Sequence, residues 1–215
     1  MRIAAVAAFL ALAVGSATAS IITHQDEGGF LLQLWGQPIK YVTVDTLPDG
    51  SPIAQGAITG NEWASEGIRF TSAGGLQLDP ALGGTSATPP NWLKPTDSGS
   101  LGIVFTTPVS AFGFSLYGPD FASANDKIVV KGEGGQILAT LTLPSAGRIT
   151  DCGDPSFFVG VISDTPVFNV DILRDVQTGD PIHFDDFYYQ PVPEPLSLVL
   201  FGLGGLGLAL RRRTR

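Results

Sequence analysis

Phe112-Gly113-Phe114-Ser115-Leu116-Tyr117 places a large apolar side chain at every second residue through its first five positions. Successive side chains of an extended chain point to opposite faces, so a period of two reads as a strand with one buried face. The same alternation recurs at Ile137, Ala139, Leu141 and Leu143, and at Phe168, Val170 and Ile172. Segments 40–45, 67–71, 76–79, 101–106, 127–131 and 156–162 are further strand candidates. Turn formers separate them: Pro48-Asp49-Gly50, Gly74-Gly75, Gly118-Pro119-Asp120, Gly132-Glu133-Gly134-Gly135, Asp164-Thr165-Pro166 and Gly179-Asp180-Pro181. About ten short strands and no long helical periodicity predict an all-β chain, an antiparallel β-sandwich of jelly-roll-like form. The one helical candidate inside it is a short turn at 61–66, with Asn61 as N-cap.

The two ends read differently from this body. Met1-Arg2 is a minimal basic start, 3–14 is an apolar run, and Ala17-Thr18-Ala19 is a small-residue cleavage site. That pattern predicts a signal peptide over 1–19, cut between Ala19 and Ser20. At the other end, Val192-Pro193-Glu194-Pro195 precedes an uncharged apolar run at 196–210 and then Arg211-Arg212-Arg213-Thr214-Arg215. The prolines stop a strand or helix, the apolar run prefers hydrocarbon, and the arginines cannot be neutralised, so they remain on the cytoplasmic side. As a helix at ~1.5 Å per residue the run spans roughly 22 Å, against about 30 Å of hydrocarbon. Gly202, Gly204, Gly205 and Gly207 weaken it further. A span this weak suits a transient anchor, with the body outside and the arginines inside.

Between these ends lies one domain, 20–190. It holds seven basic and nineteen acidic residues, a net charge of −12. That balance argues against nucleic acid and anionic membrane surfaces as partners. Cys152 is the only cysteine, so no intrachain disulfide forms. Asp151 and Asp154 flank it and suppress its thiolate. One cysteine with His24 and His183 supplies too few ligands for a zinc site.

The tail, with Pro193, Glu194 and Pro195, the glycine-broken apolar helix at 196–210 and the cluster Arg211, Arg212 and Arg213, resembles the PEP-CTERM sorting signal of Gram-negative bacteria. The resemblance covers 191–215. It implies export by the Sec and signal-peptidase machinery and a transient single-pass stage in the inner membrane. It further implies recognition by an exosortase, a membrane-embedded cysteine protease or transpeptidase, with cleavage near the Pro-Glu-Pro segment. The destination is then the cell surface or extracellular matrix of a species that makes exopolysaccharide, the setting of a biofilm. Two alternatives stand beside this: a permanently anchored type I surface protein, and a secreted glycan-active hydrolase.

The stretch Thr107-Pro108-Val109-Ser110-Ala111-Phe112-Gly113-Phe114 and the ending Phe184-Asp185-Asp186-Phe187 resemble parts of PEP-CTERM protein bodies. Similar endings occur in jelly-roll carbohydrate-binding modules. In a regular last strand, Ile182, Phe184, Asp186 and Tyr188 share one face, which would put the Asp186 carboxylate among apolar groups. Burying a charge is costly unless it is paired or bound to a metal. The resemblance implies a structural Ca²⁺ at Asp186, with Asp49 and Glu62 as early-segment partners; Ca²⁺ takes 6–8 oxygens. The other reading of Asp186 is a carboxylate that accepts backbone N–H bonds near the sheet end.

Residues 80–100 form a long irregular stretch around Trp92. An exposed indole there would stack on a sugar ring; a buried one would plug the sandwich edge. Catalysis finds little support. No G-x-S-x-G or H-E-x-x-H is present, and His24 and His183 offer no fixed triad. A carboxylate pair for glycoside hydrolysis depends on a separation that sequence does not show. The expectation is therefore a non-enzymatic structural or adhesive body, with exopolysaccharide as its ligand.

Overall fold

The computed structural model describes residues 19–80, 91–96, 99–117, 126–143, 156–174 and 182–192. The segment 1–18, Cys152, Pro193, Glu194, Pro195, the run 196–210 and Arg211, Arg212 and Arg213 lie outside the described residues. Among the described residues, no helix is long and apolar enough to cross a membrane.

The described chain is antiparallel β-structure with one short helix. The strands are β1 (Ile21–His24), β2 (Lys40–Val42), β3 (Gly56–Ile58), β4 (Ile68–Thr71), β5 (Leu76–Pro80), β6 (Asn91–Pro95), β7 (Leu101–Tyr117), β8 (Lys127–Lys131), β9 (Ile137–Thr142), β10 (Ser156–Leu173) and β11 (His183–Pro191); helix α1 is Glu27–Gln33. They bond in the order β3-β5-β6-β11-β7-β10-β8-β9, with β1 on β10, β2 on β11 and β4 on β7.

Two strands organise everything else. The sequence reads 101–106 and 112–117 as separate strands, and likewise 156–162 and 168–173. Each pair is instead one long strand, β7 and β10, running through both layers of the sandwich. The apolar positions change parity on the way: Leu101, Ile103 and Phe105 are buried, then Phe112, Phe114 and Leu116. The β7–β10 register shifts between Ile162 and Val167 and again between Val167 and Asn169. Asp164-Thr165-Pro166 therefore lies in a bulged strand crossing, not in a turn, which is the place where proline is tolerated in a sheet.

One layer holds β1, the first half of β10, the second half of β7, and β11 with β2 and β6. The other holds β4, the first half of β7, the second half of β10, and the β8–β9 hairpin. Phe70 of β4 meets Phe187 of β11 across the core, ring centroids 4.6 Å apart, although the two strands share no hydrogen bonds. Phe105, Phe112 and Tyr189 join the same cluster. Each such buried ring contributes roughly 1.5–3 kcal/mol.

Helix α1 was not foreshadowed by periodicity. Asp26 caps it, its carboxylate accepting from the Gly29 amide at 2.6 Å. Phe30 drops into a dent in the outer face of the first layer, made by Gly113 and Gly160, which sit directly opposite each other. A Cβ at Gly160 would come within 2.6 Å of the Phe30 ring. The expected helical turn at 61–66 is a series of tight turns; Thr59, not Asn61, caps it, its amide and hydroxyl both donating to Glu62.

Candidate functional site

The site is built on β11. Phe184 and Phe187 both face the core, three residues apart in a strand of period two. That spacing requires one extra residue, and the β11–β7 register shifts between Asp185 and Tyr188 to supply it. Asp186 is the bulged residue and has φ 53°, the one non-glycine residue with positive φ among those described. The bulge corrects the regular alternation expected from sequence. Tyr188 leaves the core and joins His183 and Asp185 on the outer face, while Phe187 turns inward.

On that outer face Asp79 of β5 opposes Trp92 of β6, and His183 of β11 lies beside them. Asp79 accepts from Gln77 Nε2 at 2.5 Å and is ion-paired with Lys94; His183 Nε2 is 3.8 Å from the same carboxylate. Burial pushes Asp79 up, but the bonds from Lys94 and Gln77 and the charges of Lys94 and His183 outweigh it, leaving the carboxyl below its usual value. Asp79 is therefore an ionised acceptor whose position is held from three sides. Lys94 and Asp79 are both about a quarter open to solvent at the side chain.

Beyond Asp186 the face becomes aromatic. Tyr41 of β2 stacks on Tyr188, centroids 4.6 Å apart and 19° from parallel, with one ring 46% exposed. Tyr41 Oη donates to Asp186 Oδ1, and Tyr188 Oη donates to Glu27 Oε1 at 2.6 Å. Burial, then the bond and charge of Glu27, push the Tyr188 phenol far above its usual range, so it remains a neutral donor.

Asp186 is 1% exposed and Asp185 is fully buried. The early-segment carboxylate that feels the charge of Asp186 is Asp45, which accepts from the Asn91 backbone amide at 2.8 Å. Asn91 is buried, and its side-chain oxygen has no hydrogen-bond partner among the described residues. The expected calcium set does not assemble: Asp49, Glu62 and Asp186 do not converge, and no group of three His, Cys, Asp or Glu side chains among the described residues is placed to hold a metal. Asp49 is exposed and bonds the amide and hydroxyl of Ser51, which holds its carboxyl below the usual value. Glu62 turns one oxygen, Oε1, to the Thr59 amide and hydroxyl.

Trp92 follows the second of its two readings. It is fully buried and lies parallel to Tyr117 at 5.1 Å, so it presents no face to a sugar and plugs the sheet. Among the described residues, the exposed large aromatic side chains are Tyr41 and Trp35, neither of which stands out in the sequence. Of the predicted processing residues, Ala19 and Ser20 open the described chain; the Ser20 amide donates to Asp164 at 2.9 Å.

The PEP-CTERM protein-sorting motif matches residues 191–213, and the chain carries this motif. No curated protein matches the sequence. Among solved structures, the chain is similar to a family 6 carbohydrate-binding module at 14% identity, covering 64% of this chain and 94% of that one, TM-score 0.32. A family 29 carbohydrate-binding module matches at 12% identity, covering 75% and 98%, TM-score 0.33. A Podospora anserina β-(1,4)-mannanase with a family 35 module matches at 18% identity, covering 60% of this chain and 29% of that one, TM-score 0.30.

Proposed function

We propose that this is a surface protein sorted by an exosortase, whose β-sandwich binds exopolysaccharide without cleaving it. The motif at 191–213 carries the sorting half: it indicates export and membrane-associated sorting to the cell surface. In this reading a Sec-type signal is removed at Ala19–Ser20, the run 196–210 holds the chain in the membrane, and cleavage near Pro193, Glu194 and Pro195 releases it. Intact-mass analysis of protein from the cell surface tests this. A mass ending before residue 196 is expected; a surface protein retaining 196–215 overturns it.

The binding half rests on one observation: the side of β11 turned away from the core carries a fixed charged network, Asp79 with Lys94 and Gln77, and further along a stacked pair, Tyr41 on Tyr188, whose Tyr41 ring is exposed. Sugar hydroxyls are recognised by ionised acceptors and donors held in place, and a pyranose face by an aromatic ring. Native gels containing soluble glucomannan, xylan or the producing species' own exopolysaccharide provide the test. Retardation lost in Tyr41→Ala and in Asp79→Ala supports this site; unretarded wild-type protein in all three refutes it. Calcium belongs to the same reading as a structural ion held by Asp45, Asp186 and Asn91, bracing the β11 bulge between the two halves of the face.

A further inference from the structure

We infer that Leu32 and Trp35 form a foot by which the tethered domain rests on the outer surface of the lipid bilayer. This inference rests on the sorting reading above. Leu32 is 71% and Trp35 84% exposed, the two most exposed large apolar side chains among the described residues. They stand three residues apart at the end of α1, whose other side, Phe30 and Leu34, is buried in the first layer. Trp35 lies just past the C-cap Leu34, in the turn that ends α1, and its amide donates to Leu32 O at 3.2 Å, which keeps the two exposed residues next to each other at the helix end.

The surroundings carry no charge in sequence. Residues 28–39 contain no Asp, Glu, Lys, Arg or His, although the body as a whole has a net charge of −12. The patch also lies where the chain leaves for the membrane. Gln37, two residues past Trp35, accepts from Gln190 Nε2 at 3.2 Å, and the Val192 amide donates to Pro108 O at 2.9 Å at the end of β11. Only Pro193, Glu194 and Pro195 separate Val192 from the apolar run at Leu196. Even fully extended, Val192 to Leu196 spans about 14 Å. The other terminus leaves from the same end: Ser20 pairs with Asp164, beside Ile162, and both Ile162 and Gln190 sit opposite Ala111 on β7.

A domain tied this short has this end against the headgroups, and the end presents an indole and a leucine. Tryptophan suits that zone, with an apolar ring and one N–H for the wet side. A neutral lipid surface is the occupant that fits, since the acidic body is repelled by anionic lipid. Docking fixes how the Pro-Glu-Pro segment meets a protease that is itself in the membrane.

Trp35 can be watched directly, because Trp63 and Trp92 are buried. The full chain is reconstituted in phosphatidylcholine vesicles with and without brominated acyl chains, and Trp35→Phe supplies the baseline from the other two indoles. Bromine is expected to lower the Trp35 emission roughly twofold and to leave Trp35→Phe unchanged. In cells, Leu32→Ser with Trp35→Ser is expected to slow loss of the tail severalfold while the melting temperature stays within a degree or two of wild type. A vesicle-bound chain whose Trp35 escapes bromine and remains open to iodide overturns the foot and leaves the tether standing. Protection from iodide without bromine quenching means a second copy covers the patch, and overturns it too. A chain that does not remain with the vesicles overturns both.

Discussion

Asp45, already raised from its usual 3.8 by burial and only partly offset by the Asn91 amide, is raised further by the charge of Asp186. Two carboxylates from opposite ends of the domain thus meet at the β11 bulge. A raised folded-state value means that the folded protein takes up this proton more readily than the unfolded chain. Asp45 therefore weakens the fold above its folded value, and the penalty lifts as the pH falls through it. A divalent cation would remove the penalty at neutral pH. Calcium is expected to raise the melting temperature at pH 7 by several degrees relative to chelator, equivalent to ~2.7 kcal/mol at a hundredfold excess over Kd. Asp186→Asn should abolish the response and Asp49→Asn should keep it. Identical melting with calcium and chelator would remove the ion.

Asp79 behaves in the opposite sense. Its folded value lies below the usual 3.8, so its contribution is complete above 3.8 and is lost as the pH falls through the lower folded value. Asp79→Asn should flatten the acid limb of the stability profile in that window and change little at pH 7, since the pair is part-exposed and worth at most about 1 kcal/mol. Urea midpoints between pH 2 and 6 are the measurement.

Gly160 and Gly113 make the seat for Phe30. A Cβ at Gly160 would lie 2.6 Å from Phe30 Cδ2 and 2.9 Å from Phe158 Cε1. Both rings are packed, so Gly160→Ala is expected to lift α1 and cost about 1–3 kcal/mol. Hydrogen exchange should show α1 amides opening first. Unchanged protection of α1 would contradict the seat.

Trp92 and Tyr41 separate stability from binding. Trp92→Ala removes a fully buried indole and should cost about 3–5 kcal/mol. Tyr41→Ala removes a half-exposed ring and should cost far less, while abolishing retardation in polysaccharide gels. The reverse result would return Trp92 to the binding face.

Asp126 and Arg174 form a buried pair, 4.0 Å apart, which ties the start of β8 to the end of β10. Removing one member of a buried pair leaves the other charge less compensated, so Asp126→Ala is expected to lower stability, by up to about 3–5 kcal/mol, in chemical denaturation. A loss under 1 kcal/mol would show that solvent reaches Arg174.

The β class, the β8–β9 hairpin turn and the tail motif were legible because each rests on local physics. The alternation at 137–143 marks β9 and the apolar run at 127–131 marks β8, and Pro-Glu-Pro followed by an apolar run and arginines needs no partner to be recognised. The β11 bulge was legible in principle, since Phe184 and Phe187 stand an odd number of residues apart; an alternation read rigidly missed it. What only the tertiary structure decided was which side chains cover which. Trp92 and Trp35 are the same residue type in similarly apolar settings, yet one is sealed by Tyr117 and His183 and the other stands in solvent. Asp186 meets Asp45 rather than Asp49 or Glu62 because strand order, set by pairings over more than a hundred residues, brings β2 to β11. Burial and long-range proximity are properties of the packed whole, and no local pattern encodes them.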